Sequence, residues 1–162
     1  MKINLFFILF LIIINCFSQK SIPDVLEKFN DNSVNYISVN ELKNKKEIIL
    51  LDAREESEFN ISHIKNAQFV GFENFNQKNF KKKLLNFNAT IVVYCSLGIR
   101  SEKIGKKLLK MGYKNVYNLY GGIFEWKNQD LPVFDSNNKE TENIHAYSKE
   151  WSQYLTKGKK VY

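Results

Sequence analysis

The sequence lacks most of what covalent or metallic scaffolding requires, with only two cysteines and two histidines among 162 residues. One of the cysteines, Cys16, falls in an N-terminal segment with the marks of an export signal. Removal of that segment leaves Cys95 alone, so no internal disulfide forms. The same shortage excludes a dithiol oxidoreductase, which needs a resolving cysteine. Neither histidine has a second His, Cys or acid at metal-ligand spacing, so neither a metal nor a cofactor is expected. Internal repeats and low-complexity segments are absent as well. The longest apolar run, over residues 5–14, falls short of the roughly 18–20 residues of a membrane-spanning helix.

What is present begins with that run. Met1 and Lys2 supply positive charge, the apolar stretch follows, and Cys16-Phe17-Ser18 places small residues at its exit. This is the pattern of a secretory signal, with cleavage expected after Ser18. Two alternatives stay open. The segment could remain as an anchor, or Cys16 could be lipidated, although Asn15 stands where a lipobox usually has Gly, Ala or Ser. Export, with the periplasm as the preferred compartment, turns an unpaired Cys95 into a thiol to be examined for reactivity. Without lipidation at Cys16, no stable membrane association is expected.

The remaining chain is long enough for one domain and too short for two. Net charge is +7, with lysines clustered at Lys78, Lys81, Lys82 and Lys83 and again at Lys103, Lys106, Lys107 and Lys110. Such runs form solvated helix faces and also draw small anions from a distance. Export and the lack of a binding motif argue against nucleic acid as a partner. No feature identifies a protein partner.

Apolar runs alternate with amphipathic segments. Helices are expected over 22–30 (Ser21 as cap), 40–46, 55–60, 76–85, 101–111 and 124–128. Strands are expected over 36–39, 47–52, 67–70, 89–94 and 115–120. The run Thr90-Ile91-Val92-Val93 is β-branched throughout and reads as a buried parallel strand. The alternation implies an α/β fold with a parallel central sheet and helices on both faces. Residues 19–33 form an N-terminal helical segment, 34–132 the main domain and 133–162 a C-terminal extension. In the extension, 135–143 reads as a polar linker. Tyr147, Trp151, Tyr154 and Leu155 then fall on one face of an expected amphipathic helix that packs back onto the domain.

Cys95 lies where the β-branched strand gives way to a helix, the edge at which open α/β sheets bind ligands. Inward amides of a tight loop and the helix dipole both favour a thiolate. Gly98 lets the loop close, and Arg100 adds permanent charge.

The run Val93-Tyr94-Cys95-Ser96-Leu97-Gly98-Ile99-Arg100-Ser101 resembles the active-site loop of single-domain rhodaneses. Leu51-Asp52-Ala53-Arg54, Glu58 and His63-Ile64-Lys65-Asn66-Ala67 resemble the family's first signature. Gly112-Tyr113 to Val116-Tyr117, then Gly121-Gly122 and Trp126, resemble its last. The resemblance covers about residues 34–132 and implies a three-layer fold and a sulfur-transfer cycle. Cys95 would take a sulfane sulfur from a small anionic donor such as thiosulfate and pass it to cyanide or a thiol. Ser96, Leu97, Gly98, Ile99 and Arg100 would form the persulfide-binding loop, with Asp52, Arg54 and His63 in support. A non-catalytic sulfur carrier or binding module of the same fold is the alternative. The Cys-x4-Arg loop is one residue shorter than the Cys-x5-Arg of cysteine phosphatases, which disfavours phosphatase or arsenate reductase chemistry. Two departures stand out: Ser62 replaces the usual Gly before the histidine, and Ser96 and Leu97 stand where many relatives carry a basic side chain.

Overall fold

The computed structural model describes residues 21–162. The expected export signal, its cleavage point and Cys16 lie outside the described residues.

Five short strands pair entirely in parallel: β1 (Asn35–Ile37), β2 (Ile48–Asp52), β3 (Gln68–Phe69), β4 (Thr90–Tyr94) and β5 (Asn115–Leu119). Their order across the sheet is β1-β5-β4-β2-β3, with β4 in the middle. Alternation along β4 divides the interior. Val92 and Tyr94 face one core with Val25, Leu42, Phe124 and Leu155, whereas Ile91 and Val93 face another with Ile104, Leu108 and Tyr113. Both faces are therefore buried, which is why the strand reads as a continuous apolar run rather than an alternating one.

The first layer contains α1 (Ile22–Phe29), α2 (Val39–Asn44) and α6 (Gly122–Asn128). Ser21 and Ser38 cap the first two through reciprocal capping boxes with Asp24 and Glu41. The second layer contains α4 (Gln77–Lys83) and α5 (Ile99–Lys110). Between strands β2 and β3 lies α3 (Glu56–Ile61), whose Glu58 is buried. Helix α5 starts two residues earlier than expected, so Ile99 and Arg100 belong to its first turn.

The extension departs from expectation. The stretch read as a polar linker forms half of a hairpin, β6 (Val133–Phe134) with β7 (Glu140–Thr141). No amphipathic helix follows. Instead β8 (Asn143–His145) pairs in parallel with β9 (Lys159–Val161), and only a 3-10 turn, Trp151–Tyr154, lies between them. Main-chain pairing within the tail outweighs the helical spacing of its aromatic residues. The tail nevertheless packs onto the domain: Ile144, Ala146 and Leu155 are fully buried, the first and last in the core beneath β4.

Candidate active site

Because β4 is the central strand, its carboxyl end opens between β2 and β5, and the chain there turns directly into α5. Cys95 is the first residue past the strand and is only 2% exposed. Its Sγ accepts a hydrogen bond from the Gly98 amide at 3.1 Å. Gly98 caps α5 with φ +118, a conformation that resists a side chain. The Gly98 carbonyl points the other way, held by Asn118 Nδ2 at 2.8 Å and Asn30 Nδ2 at 3.0 Å. Ser101 Oγ lies 3.5 Å from Sγ and 2.7 Å from Asn118 Oδ1, so its single hydrogen serves two acceptors.

The loop is also fixed from behind. The Ile123 and Phe124 amides donate to the carbonyls of Cys95 and Ser96 at 2.9 and 3.1 Å. A Cβ at Gly122 would fall 2.3 Å from the Cys95 carbonyl oxygen, and φ there is +57. Gly121-Gly122 is thus the floor of the loop, and its second glycine is a steric requirement.

Arg100 does not project freely. Its two terminal nitrogens donate to both oxygens of Glu58 at 2.6 and 2.7 Å, and one reaches Ser96 Oγ at 3.0 Å. Ser96 in turn donates to Glu58 at 3.1 Å. Burial opposes ionisation of Glu58, but Arg100 outweighs it and holds the carboxyl below its usual range. Burial likewise pushes the Cys95 thiol up. The charge of Arg100, helped by Ser101 and Gly98, reverses that and brings the thiol below its ordinary value. The thiolate is then populated above this lowered value and lost as pH falls through it. Arg100→Gln is expected to move the acid limb of Cys95 alkylation to higher pH and slow iodoacetamide at neutral pH several-fold. Arg100→Lys, which keeps the charge, should restore most of the rate.

The three residues read as supporting, Asp52, Arg54 and His63, lie close together in sequence. Asp52 and Arg54 form an ion pair at 2.6 Å with both side chains fully buried. Arg54 also donates to the Ser62 carbonyl at 2.6 Å, and its guanidinium lies over the Tyr94 ring. Ser62 has an extended backbone, φ −168, so a serine there needs no glycine-like conformation. His63 stacks on Phe59, places Nδ1 3.2 Å from the Phe59 carbonyl and bridges to Phe134 through its main chain. Together these groups brace the β2–α3 segment that carries Glu58. The lysines of α5 stay outside: Lys106 pairs with Asp31, and Lys103 and Lys107 lie over Phe72.

Beside Cys95 is a cavity of about 130 Å³, lined by Leu97, Ile99 and Arg100 from the loop and by Tyr147 and Trp151 from the extension. A larger groove of about 360 Å³ at the β3–α4 edge has no Cys, Ser, Thr, His or acid among its described lining residues. Sequence reasoning placed Tyr147 and Trp151 on a helix face and missed their role as cavity wall. It quoted Glu58 without its partner, and it missed Asn118 and the burial-lowered His145, which feels Glu58, Arg54 and Arg100. The pairing of Glu58 with Arg100 spans 42 positions and leaves no local signature.

Comparison with known proteins gives a consistent result. A model of the rhodanese-like domain matches residues 37–129. A thiosulfate sulfurtransferase, GlpE, from Coxiella burnetii is 30% identical over 107 residues, covering 64% of this chain and 94% of that protein. A tRNA uridine(34) hydroxylase from Cytophaga hutchinsonii is 32% identical over 89 residues, covering 52% of this chain but 28% of the other. Among solved structures, the polysulfide-sulfur transferase homodimer of Wolinella succinogenes has a TM-score of 0.52 at 26% identity. That similarity covers 63% of this chain and 79% of the Wolinella chain.

Proposed function

The chain belongs to the rhodanese-like domain family, and from that premise we propose that it is an exported sulfurtransferase working through a persulfide on Cys95. The observation that carries this reading is the placement of Cys95 Sγ against the Gly98 amide at the mouth of α5, beside Arg100. A thiolate held there meets a sulfane sulfur without a separate general base.

With thiosulfate as donor, the thiolate forms an Sγ–S bond to the outer sulfur. The S–S bond of thiosulfate breaks, and its electron pair leaves with sulfite. A cyanide or thiolate acceptor then attacks the outer sulfur of the persulfide, and the bonding pair returns to Sγ. No oxidant or reductant enters the cycle. The Gly98 N–H and the Ser101 hydroxyl stabilise negative charge near Cys95 by preorganised hydrogen bonding. Likeness to a thiosulfate sulfurtransferase and a polysulfide-sulfur transferase supports the same class of donor. Export is supported by the charge, apolar run and small-residue exit of residues 1–18, with the periplasm as the preferred compartment.

Turnover separates a catalyst from a carrier. Thiocyanate should accumulate over many cycles from thiosulfate and cyanide. A single equivalent that then stops would instead identify a sulfur carrier.

A further inference from the structure

The family match ends at residue 129, yet two side chains that enclose the Cys95 cavity come from beyond it. Tyr147 adopts φ +66, unusual for an aromatic residue. That turn brings its ring to 4.9 Å from the Arg100 guanidinium, although the residue is 51% exposed. Trp151 packs between Phe29 and Tyr154 and completes the wall. Leu97 and Ile99 of the loop also line the cavity.

The charge balance of this cavity is distinctive. Among the described residues Arg100 is the only cation lining it, and Glu58 and Ser96 occupy the guanidinium's hydrogen-bonding edge while Tyr147 covers its face. Glu58 already occupies both terminal nitrogens of Arg100, so although the guanidinium still favours the Cys95 thiolate, an approaching dianion finds no unpaired cation to hold it among the described lining residues. The space is instead apolar and aromatic. Its volume of about 130 Å³ is close to the roughly 150 Å³ at which an apolar cavity accepts a benzene ring.

Resting on the sulfurtransferase reading, we propose that Tyr147 and Trp151 are specificity-determining residues. They select donors whose sulfane sulfur is bonded to a sulfur bearing a small apolar organic group over the inorganic dianion thiosulfate. For an organic thiosulfonate, Sγ bonds to the terminal sulfur, the S–S bond breaks and the electron pair departs with the sulfinate. For an organic persulfide the pair departs with the thiolate. In both cases the apolar group occupies the space between the loop and the aromatic wall.

The test compares kcat/KM for benzenethiosulfonate and thiosulfate, with cyanide as acceptor, in the full chain and in Tyr147→Ala, Trp151→Ala and Trp151→Phe. Thermal melts report folding of each variant. The wild type should favour benzenethiosulfonate by about tenfold or more, and Tyr147→Ala should lower that ratio by about tenfold. Trp151→Phe, which keeps an aromatic ring against Phe29, should retain most of it. A ratio unchanged in folded Tyr147→Ala and Trp151→Ala overturns the proposal alone. Failure of the wild type with both donors overturns the sulfurtransferase reading and this proposal with it.

Discussion

A Cys95→Ser variant is expected to transfer sulfur at least about 10³-fold more slowly than wild type while folding normally, because the covalent route is lost with the nucleophile. The sulfur atom has two roles that oxygen divides differently. As a hydrogen-bond acceptor for Gly98, a serine hydroxyl is an adequate substitute, so stability should change by no more than about 1 kcal/mol. As a nucleophile it is inadequate. The surroundings favour the ionised form of a thiol but leave a hydroxyl protonated, and among the described residues the groups that hydrogen-bond to that position, the Gly98 amide and the Ser101 hydroxyl, are not bases. Steady-state thiocyanate formation measures the first effect and a thermal melt the second. Residual activity near wild type would place the chemistry elsewhere.

The largest stability effect should come from a pair that touches no substrate. Asp52→Asn is expected to destabilise the domain by about 3–5 kcal/mol, as seen when one partner of a buried ion pair is removed. Asp52 and Arg54 are both fully buried, and Asp52 accepts from both the Arg54 side chain and its backbone amide. Asparagine keeps some of the hydrogen bonds but leaves the guanidinium without its counter-charge in the interior. Urea unfolding gives the value. Replacing both partners with apolar residues should recover much of the loss, leaving mainly the Ser62 carbonyl without its donor. A change below about 1 kcal/mol in Asp52→Asn would mean that water or a neighbouring acid compensates the charge.

The contrast between these two variants matches what the sequence made legible. The β4 strand was readable because its β-branched run is buried on both faces. The Cys95 loop was readable because strand, glycine and helix follow one another within a few residues. Gly121-Gly122 stands out in the sequence only by its resemblance to the family's last signature, and only packing reveals that Gly122 lies against the Cys95 carbonyl. Asp52 and Arg54 were expected near the site in a supporting place, and in the fold they form a buried ion pair with each other.

Long-range contacts were another matter. Nothing local announces that Glu58 holds Arg100, since the two residues lie 42 positions apart on different helices, α3 and α5. The tail was misread for a related reason. Tyr147, Trp151, Tyr154 and Leu155 have helical spacing, yet β8 and β9 pair across the segment and permit only a short 3-10 turn. Trp151, Tyr154 and Leu155 still face inward as that spacing suggested, while Tyr147 turns out toward Arg100. The strands of the tail are two or three residues long, too short for any periodicity to register.

The most direct measurement is the mass of the Cys95 peptide after exposure to thiosulfate or benzenethiosulfonate. One added sulfur on Cys95, removed by cyanide and absent in Cys95→Ser, is the predicted result. Lack of the adduct with both donors, or its persistence in Cys95→Ser, would contradict a Cys95 persulfide.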